Sequence, residues 1–89
     1  MKIIKNIKEL FKIDKKIIAI LADIKEDEKL KDTLTGESSI IDDVGLDSLE
    51  MINFLLMIEE EFGKEIDFER LEYSNLESIN KFVSFLGTL

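Results

Sequence analysis

Eighty-nine residues make one small domain, and with 45% hydrophobic residues it can fill a core but not also build a deep catalytic cleft. It has neither cysteine nor histidine, which removes disulfides, thiolate nucleophiles, imidazole bases and the commonest zinc ligands and leaves a poor set of groups for an enzyme. The net charge of −8 collects in residues 31–89, which hold fourteen Asp/Glu against four Lys/Arg; this disfavours nucleic acid and anionic membranes as partners and suits proteins with basic patches, although solubility is enough to explain the charge alone.

From Ile3 to Ala22, the apolar residues Ile3, Ile7, Leu10, Ile17 and Leu21 recur at roughly helical spacing. Asp14 interrupts that stripe; it either caps a second helical stretch from Lys15 or faces solvent. The longest apolar run, Ile17 to Ala22, is too short to cross a bilayer. Lys5, Lys8 and Glu9 break up the N-terminal apolar residues before they form a secretory signal core, so the chain reads as soluble and cytoplasmic. Residues 23–46 form a long connection, weakly helical over KEDEKLKDTL and turning at TGESS. Connections of this length are uncommon in compact domains unless functional or partly structured. Ile40, Ile41, Val44 and Leu46 are expected to pin this one to the core, and Gly45 permits a bend just ahead of the next helix.

The strongest helical signal runs from Ser48 to Phe62, where Met51, Leu55, Ile58 and Phe62 lie at i, i+4, i+7 and i+11. Asp47 and Glu50 fit the reciprocal capping pattern at its start, and Gly63 supplies the stop. Asp67 then predicts a short helix over Phe68 to Glu72. Ser74 and Glu77 form another capping pair, opening a last helix with Leu76, Ile79, Phe82, Val83 and Leu86 inward and Gly87 at its end. The expected fold is all-α: a small four-helix bundle of three main helices and one short third helix, in a single domain over residues 1–89. Leu55, Ile58, Phe62, Ile66, Leu71, Ile79 and Phe82 are expected to converge in its core.

The most informative stretch is DDVGLDSLEMINFLLMIEEEF, Asp42 to Phe62. It resembles the acyl carrier protein family, whose signature is a glycine, any residue, then Asp-Ser-Leu, opening a helix that ends in an acidic run and an aromatic. Gly45, Asp47, Ser48 and Leu49 match the signature, and Glu59, Glu60, Glu61 and Phe62 match the helix end. The helix order, long first loop and length extend the likeness over nearly the whole chain. The resemblance implies that the Ser48 hydroxyl is esterified to 4′-phosphopantetheine, taken from coenzyme A by a phosphopantetheinyl transferase, with Asp47 as the adjacent cap. Placement at a helix N-terminus suits a phosphodiester on independent grounds, because unpaired N–H groups and the positive end of the helix dipole lie there. The arm's thiol would then carry acyl groups as thioesters, which explains how the chain manages without Cys or His. On the bare tetrapeptide, Asp47-Ser48-Leu49-Glu50 also reads as an ordinary helix cap, and the two roles are compatible.

Leu49, Ile52 and Leu56 form a second apolar row on the same helix, at i, i+3 and i+7, rimmed by Asp47, Glu50, Glu59 and Glu60. Left exposed, such a row is a docking surface; covered by the long first loop, it is core. Similar carrier proteins present this face to basic patches on acyl-transferring and condensing enzymes. Asn53 stands where the family often has another acid, which weakens the recognition charge mid-helix. A calcium loop is ruled out: placing Gly45 at the glycine of an EF-hand puts Ile40, Val44 and Met51 where oxygen ligands are needed. No metal site is expected.

The reading is a monomeric carrier, not an enzyme, shuttling acyl intermediates of a fatty acid or related acyl or polyketide pathway. Two alternatives stay open: an aminoacyl or peptidyl carrier of a specialised pathway, and an unmodified helical adaptor that kept the fold and lost the arm. Leu46 before Asp-Ser, Asn53 and the lysine-rich first helix keep the specialised pathway in view.

Overall fold

The computed structural model describes residues 7–89, with side chains from residue 13 onward. Helix α1 spans Ile7–Lys25. The expected start at Ile3 lies outside the described residues, as do the side chains of Ile7 and Leu10. Asp14 does not break the helix, which runs through it without a cap; its half-buried carboxyl is pushed above its ordinary 3.8 by partial removal from water. Burial of Ile17, Ile18, Ile20, Leu21 and Ala22 carries α1 through that position and on past the expected end at Ala22. The helix closes on Glu26, which adopts a left-handed conformation (φ 51°) while the Asp27 N–H donates to the Ala22 carbonyl at 3.0 Å.

The long connection is largely ordered by local polar contacts. It contains a single helical turn, α2 (Leu30–Thr33), which packs on α1 ahead of the buried Leu34. At TGESS the Thr35 N–H donates to Ser38 Oγ at 2.9 Å and the Ser38 N–H to the Thr35 carbonyl at 3.0 Å, closing the expected turn. A wide, π-helical turn then covers Ile40–Val44, capped by Ser39 Oγ, which accepts from the Asp42 N–H at 2.9 Å. Ile40 and Val44 are buried and Ile41 and Leu46 half-buried against the core, as their apolar character suggested. The connection is fastened to the far end of the chain: the Ile79 N–H donates to the Ser38 carbonyl at 2.9 Å and the Asn80 N–H to the Gly36 carbonyl at 2.8 Å. A Cβ at Gly36 would meet only the end of the exposed Asn80 side chain, which can swing aside.

Helix α3 occupies Ser48–Phe62, the predicted bounds, and ends on Gly63 in the left-handed region (φ 63°). The segment after it departs from expectation. Asp67 organises only a turn, with the Arg70 N–H on its carbonyl at 3.0 Å and the Glu69 N–H on Oδ1 at 3.0 Å. Phe68, Glu69 and Arg70 are all exposed, so within Phe68–Glu72 only Leu71 packs on the core, too little apolar contact to stabilise a helix there. The short third helix lies instead at Tyr73–Leu76, a 3₁₀ turn that buries Leu76. The last helix accordingly starts later than Ser74: α4 spans Ile79–Leu86 and is capped by Ser78 Oγ, which accepts from the Lys81 N–H at 3.0 Å. The Lys64 ammonium, just past α3, reaches the Leu89 carbonyl at 3.2 Å, tying the two helices' C-terminal ends together.

The core joins α1, the first connection, α3 and α4. Ile17, Leu21, Ile40, Phe54, Ile58, Ile79 and Phe82 are its fully buried members, and no polar side chain is buried among the described residues. Leu55 and Ile66 are buried as expected, whereas Met51, Phe62 and Leu71 are only half-buried against it. Phe54 and Phe85 take central places that the stripe reading did not give them. Among the described residues, no helix is long and apolar enough to cross a membrane.

Candidate functional site

Ser48 opens α3 and is exposed. The Asp47 N–H donates to Glu50 Oε1 at 3.0 Å, and the Glu50 N–H donates to Asp47 Oδ1 at 2.8 Å, forming the anticipated capping box. The Met51 N–H donates to the Asp47 carbonyl at 2.8 Å, the first bond of the helix. Among the described residues, the N–H groups of Ser48 and Leu49 and the Ser48 hydroxyl have no protein partner. A free hydroxyl thus stands beside two unused donors at the positive end of a 15-residue helix, a setting that favours an attached phosphate. The residues present fit a phosphodiester on Ser48 Oγ. Gly45, in the left-handed region (φ 73°, ψ 49°), turns the chain from the π-helical turn into this cap.

The second apolar row is in the open. Leu49 is 67% exposed, Ile52 54% and Leu56 51%, so the first loop does not cover it. Its acidic rim is less uniform than the sequence implied. Glu60 is exposed on the surface, and Asp47 is exposed though committed to the cap. Glu59 is half-buried and accepts from the Ile66 N–H at 2.7 Å, holding the segment after Gly63 against α3. Glu50 is turned inward onto Lys25, whose ammonium lies 3.1 Å from Oε1. Lys25 carries no signal in the linear sequence, because its partner is 25 positions away. Asn53, like its neighbour Ile52, is exposed, which leaves the middle of the row without charge.

The comparisons with known proteins decide the family. The profile of the family described as the phosphopantetheine attachment site matches residues 15–83, most of the chain and the whole of the α3 cap. The acyl carrier protein of Buchnera aphidicola subsp. Acyrthosiphon pisum (strain Tuc7) is 37% identical over 82 residues, 92% of this chain and 90% of that one. This chain belongs to the acyl carrier protein family. A further relative, acyl carrier protein AcpXL of Mesorhizobium japonicum, is 40% identical over 55 residues, 62% of this chain and 57% of that one. The fold is similar to the solution structure of a holo acyl carrier protein from Nitrosomonas europaea, with a TM-score of 0.75 over 84% of this chain and 92% of that one, at 24% identity. As an acyl carrier protein, the chain is a carrier and not an enzyme, and it takes a covalently attached phosphopantetheine. That role matches its composition: the arm brings the thiol that the chain lacks.

Proposed function

We propose that Ser48 is the point at which this carrier takes its phosphopantetheine arm, and that the exposed row Leu49, Ile52 and Leu56 is where its enzymes dock. The observation that carries the first part is the pairing of an exposed, unpartnered Ser48 hydroxyl with the open N–H groups of Ser48 and Leu49. When bound, the arm supplies a terminal thiol that holds acyl groups as thioesters. The chain's own part is to present Ser48 Oγ, to hold its phosphate at the helix end, and to offer a surface that partners recognise. With no histidine in the sequence and the Asp47 carboxylate held by the cap, the proton leaving Ser48 Oγ goes to a base on the phosphopantetheinyl transferase.

The docking reading is supported by three large apolar side chains that are more than half exposed on one helix face, beside the exposed acid Glu60. The partners that fit are the transferase and acyl-transferring or condensing enzymes with an apolar groove and basic residues at its edge. The cargo is an acyl intermediate of fatty acid synthesis or of a related pathway.

Incubation with coenzyme A and a carrier-protein transferase tests the first reading. Intact mass should rise by one arm in the native sequence and stay fixed in Ser48→Ala, with the helical circular dichroism unchanged. Labelling that persists in Ser48→Ala, or moves to Ser38 or Ser39, would sink it. A native chain that takes no arm under these conditions would favour the unmodified adaptor.

A further inference from the structure

Lys25 closes the last turn of α1, where a cation also complements the negative end of the helix dipole. Its ammonium makes three contacts: Glu50 Oε1 at 3.1 Å, Glu50 Oε2 at 3.4 Å and the Gly45 carbonyl at 3.3 Å. Glu50 Oε1 also accepts from the Asp47 N–H at 3.0 Å. One ammonium therefore grips a carbonyl three residues before Ser48 and, through Glu50, the N–H of the residue immediately before it. The side chains of Lys25 and Glu50 are 28% and 26% exposed, against 44–74% for the members of the other ion pairs among the described residues. A sheltered, charge-assisted contact of this kind outlasts surface screening and fixes geometry.

We propose that Lys25 is a positioning residue for the Ser48 turn, and that Glu50 serves this internal latch rather than recognition by a docking enzyme. The latch links the end of α1 to the cap of α3, adding a charged contact to the buried Val44 and half-buried Leu46 on either side of Gly45. With it in place, Gly45 keeps its left-handed turn and the capping box stays closed. Ser48 Oγ then stands in one orientation for arm transfer. The proposal rests on the reading of Ser48 as the attachment point.

The two roles of Glu50 predict opposite behaviour when Lys25 is removed, because Lys25→Met frees the carboxylate. Arm transfer is followed with coenzyme A and a transferase for the native chain, Lys25→Met, Glu50→Gln and the double variant. The latch predicts that each single variant lowers kcat about tenfold, roughly the rate equivalent of one hydrogen bond to a charged group, with KM little changed. It also predicts that the double variant is no worse than either single one, and that Lys25→Arg keeps most of the rate. Amide exchange on the unmodified chains supplies an independent reading, with the Asp47 N–H exchanging faster in both single variants. Docking by Glu50 predicts instead a raised KM for Glu50→Gln that vanishes at high salt, and a KM for Lys25→Met equal to or below the native value. That pattern, or native kinetics in both variants, overturns the proposal. Transfer that survives Ser48→Ala overturns the attachment reading and this role with it, and the Asp47 exchange rates tell that failure from the absence of a latch.

Discussion

The rings of Phe54 and Phe82 pack with centroids 5.3 Å apart and planes tilted by 40°, joining α3 to α4 at the centre of the core. Both side chains are fully buried, whereas Phe62, at the end of the predicted stripe, is half-buried and lies under the Lys16 ammonium, 5.9 Å from its ring centroid. Phe54→Ala should cost about 3–5 kcal/mol, a large share of a small domain's stability. Phe62→Ala should cost clearly less. Urea denaturation of the two variants checks the order, and an equal or larger loss for Phe62→Ala would contradict this account of the core.

Two neighbouring glutamates should behave differently. Glu59→Ala leaves the part-buried Ile66 N–H without its acceptor and should cost about 1–3 kcal/mol in stability. Glu60→Lys touches no described hydrogen bond and should change stability by less than about 0.5 kcal/mol. It should nonetheless slow arm transfer at low salt, an effect that fades once screening shortens the Debye length below roughly 8 Å. Denaturation and transfer kinetics on the same two proteins separate the roles, and a transfer rate that ignores both Glu60→Lys and salt would remove electrostatics from the docking reading.

Asp14 gives a pH signature. Its carboxyl is raised above its ordinary 3.8 by partial burial, so the folded chain holds this proton more tightly than the unfolded one. Stability is then lost as pH rises through the unfolded value and past the folded one. Asp14→Asn, which cannot ionise, should melt higher than the native chain at pH 7. The gap should shrink as pH falls towards 3.8 and close below it. Melting curves from pH 3 to 7 measure this, and a gap that widens on acidification would show that Asp14 is stabilised as a charge.

The ends of α1 and α3 make a matched pair. Gly63 closes α3 at φ 63°, and Glu26 closes α1 at φ 51° with a side chain that disfavours that region. Gly63→Ala should lose about 1 kcal/mol, while Glu26→Gly should gain up to about 1 kcal/mol, less whatever flexibility the glycine adds to the unfolded chain. Thermal melts of both variants test the signs.

The cap of α3 could be read from sequence because its parts are adjacent: Asp47, Glu50 and the stripe behind them state the helix, its start and its bounds. The exposure of Leu49, Ile52 and Leu56 was one of two readings, since an apolar row looks the same whether a loop covers it or not. The place of the short third helix is not legible, because Asp67 caps a turn as readily as a helix and sequence does not show that Phe68 is exposed while Leu76 is buried. Lys25 could not be found at all. Its partners, Gly45 and Glu50, meet it only after the first connection has folded back, and no local pattern records that approach.

The bonds from Ile79 and Asn80 to the carbonyls of Ser38 and Gly36 make the first connection depend on the last helix. A chain grows from its N-terminus, and α1 and α3 can begin to form from nearby contacts, but a pairing across some forty positions has to wait for its distant half. Until α4 exists, the connection leading to Gly45 and Ser48 lacks its far anchor. In refolding followed amide by amide, protection at Ser38 and Val44 should appear no earlier than at Ile79. The first connection is thereby held by the last helix, so truncating the chain ahead of Ile79 should loosen the segment that leads to Gly45.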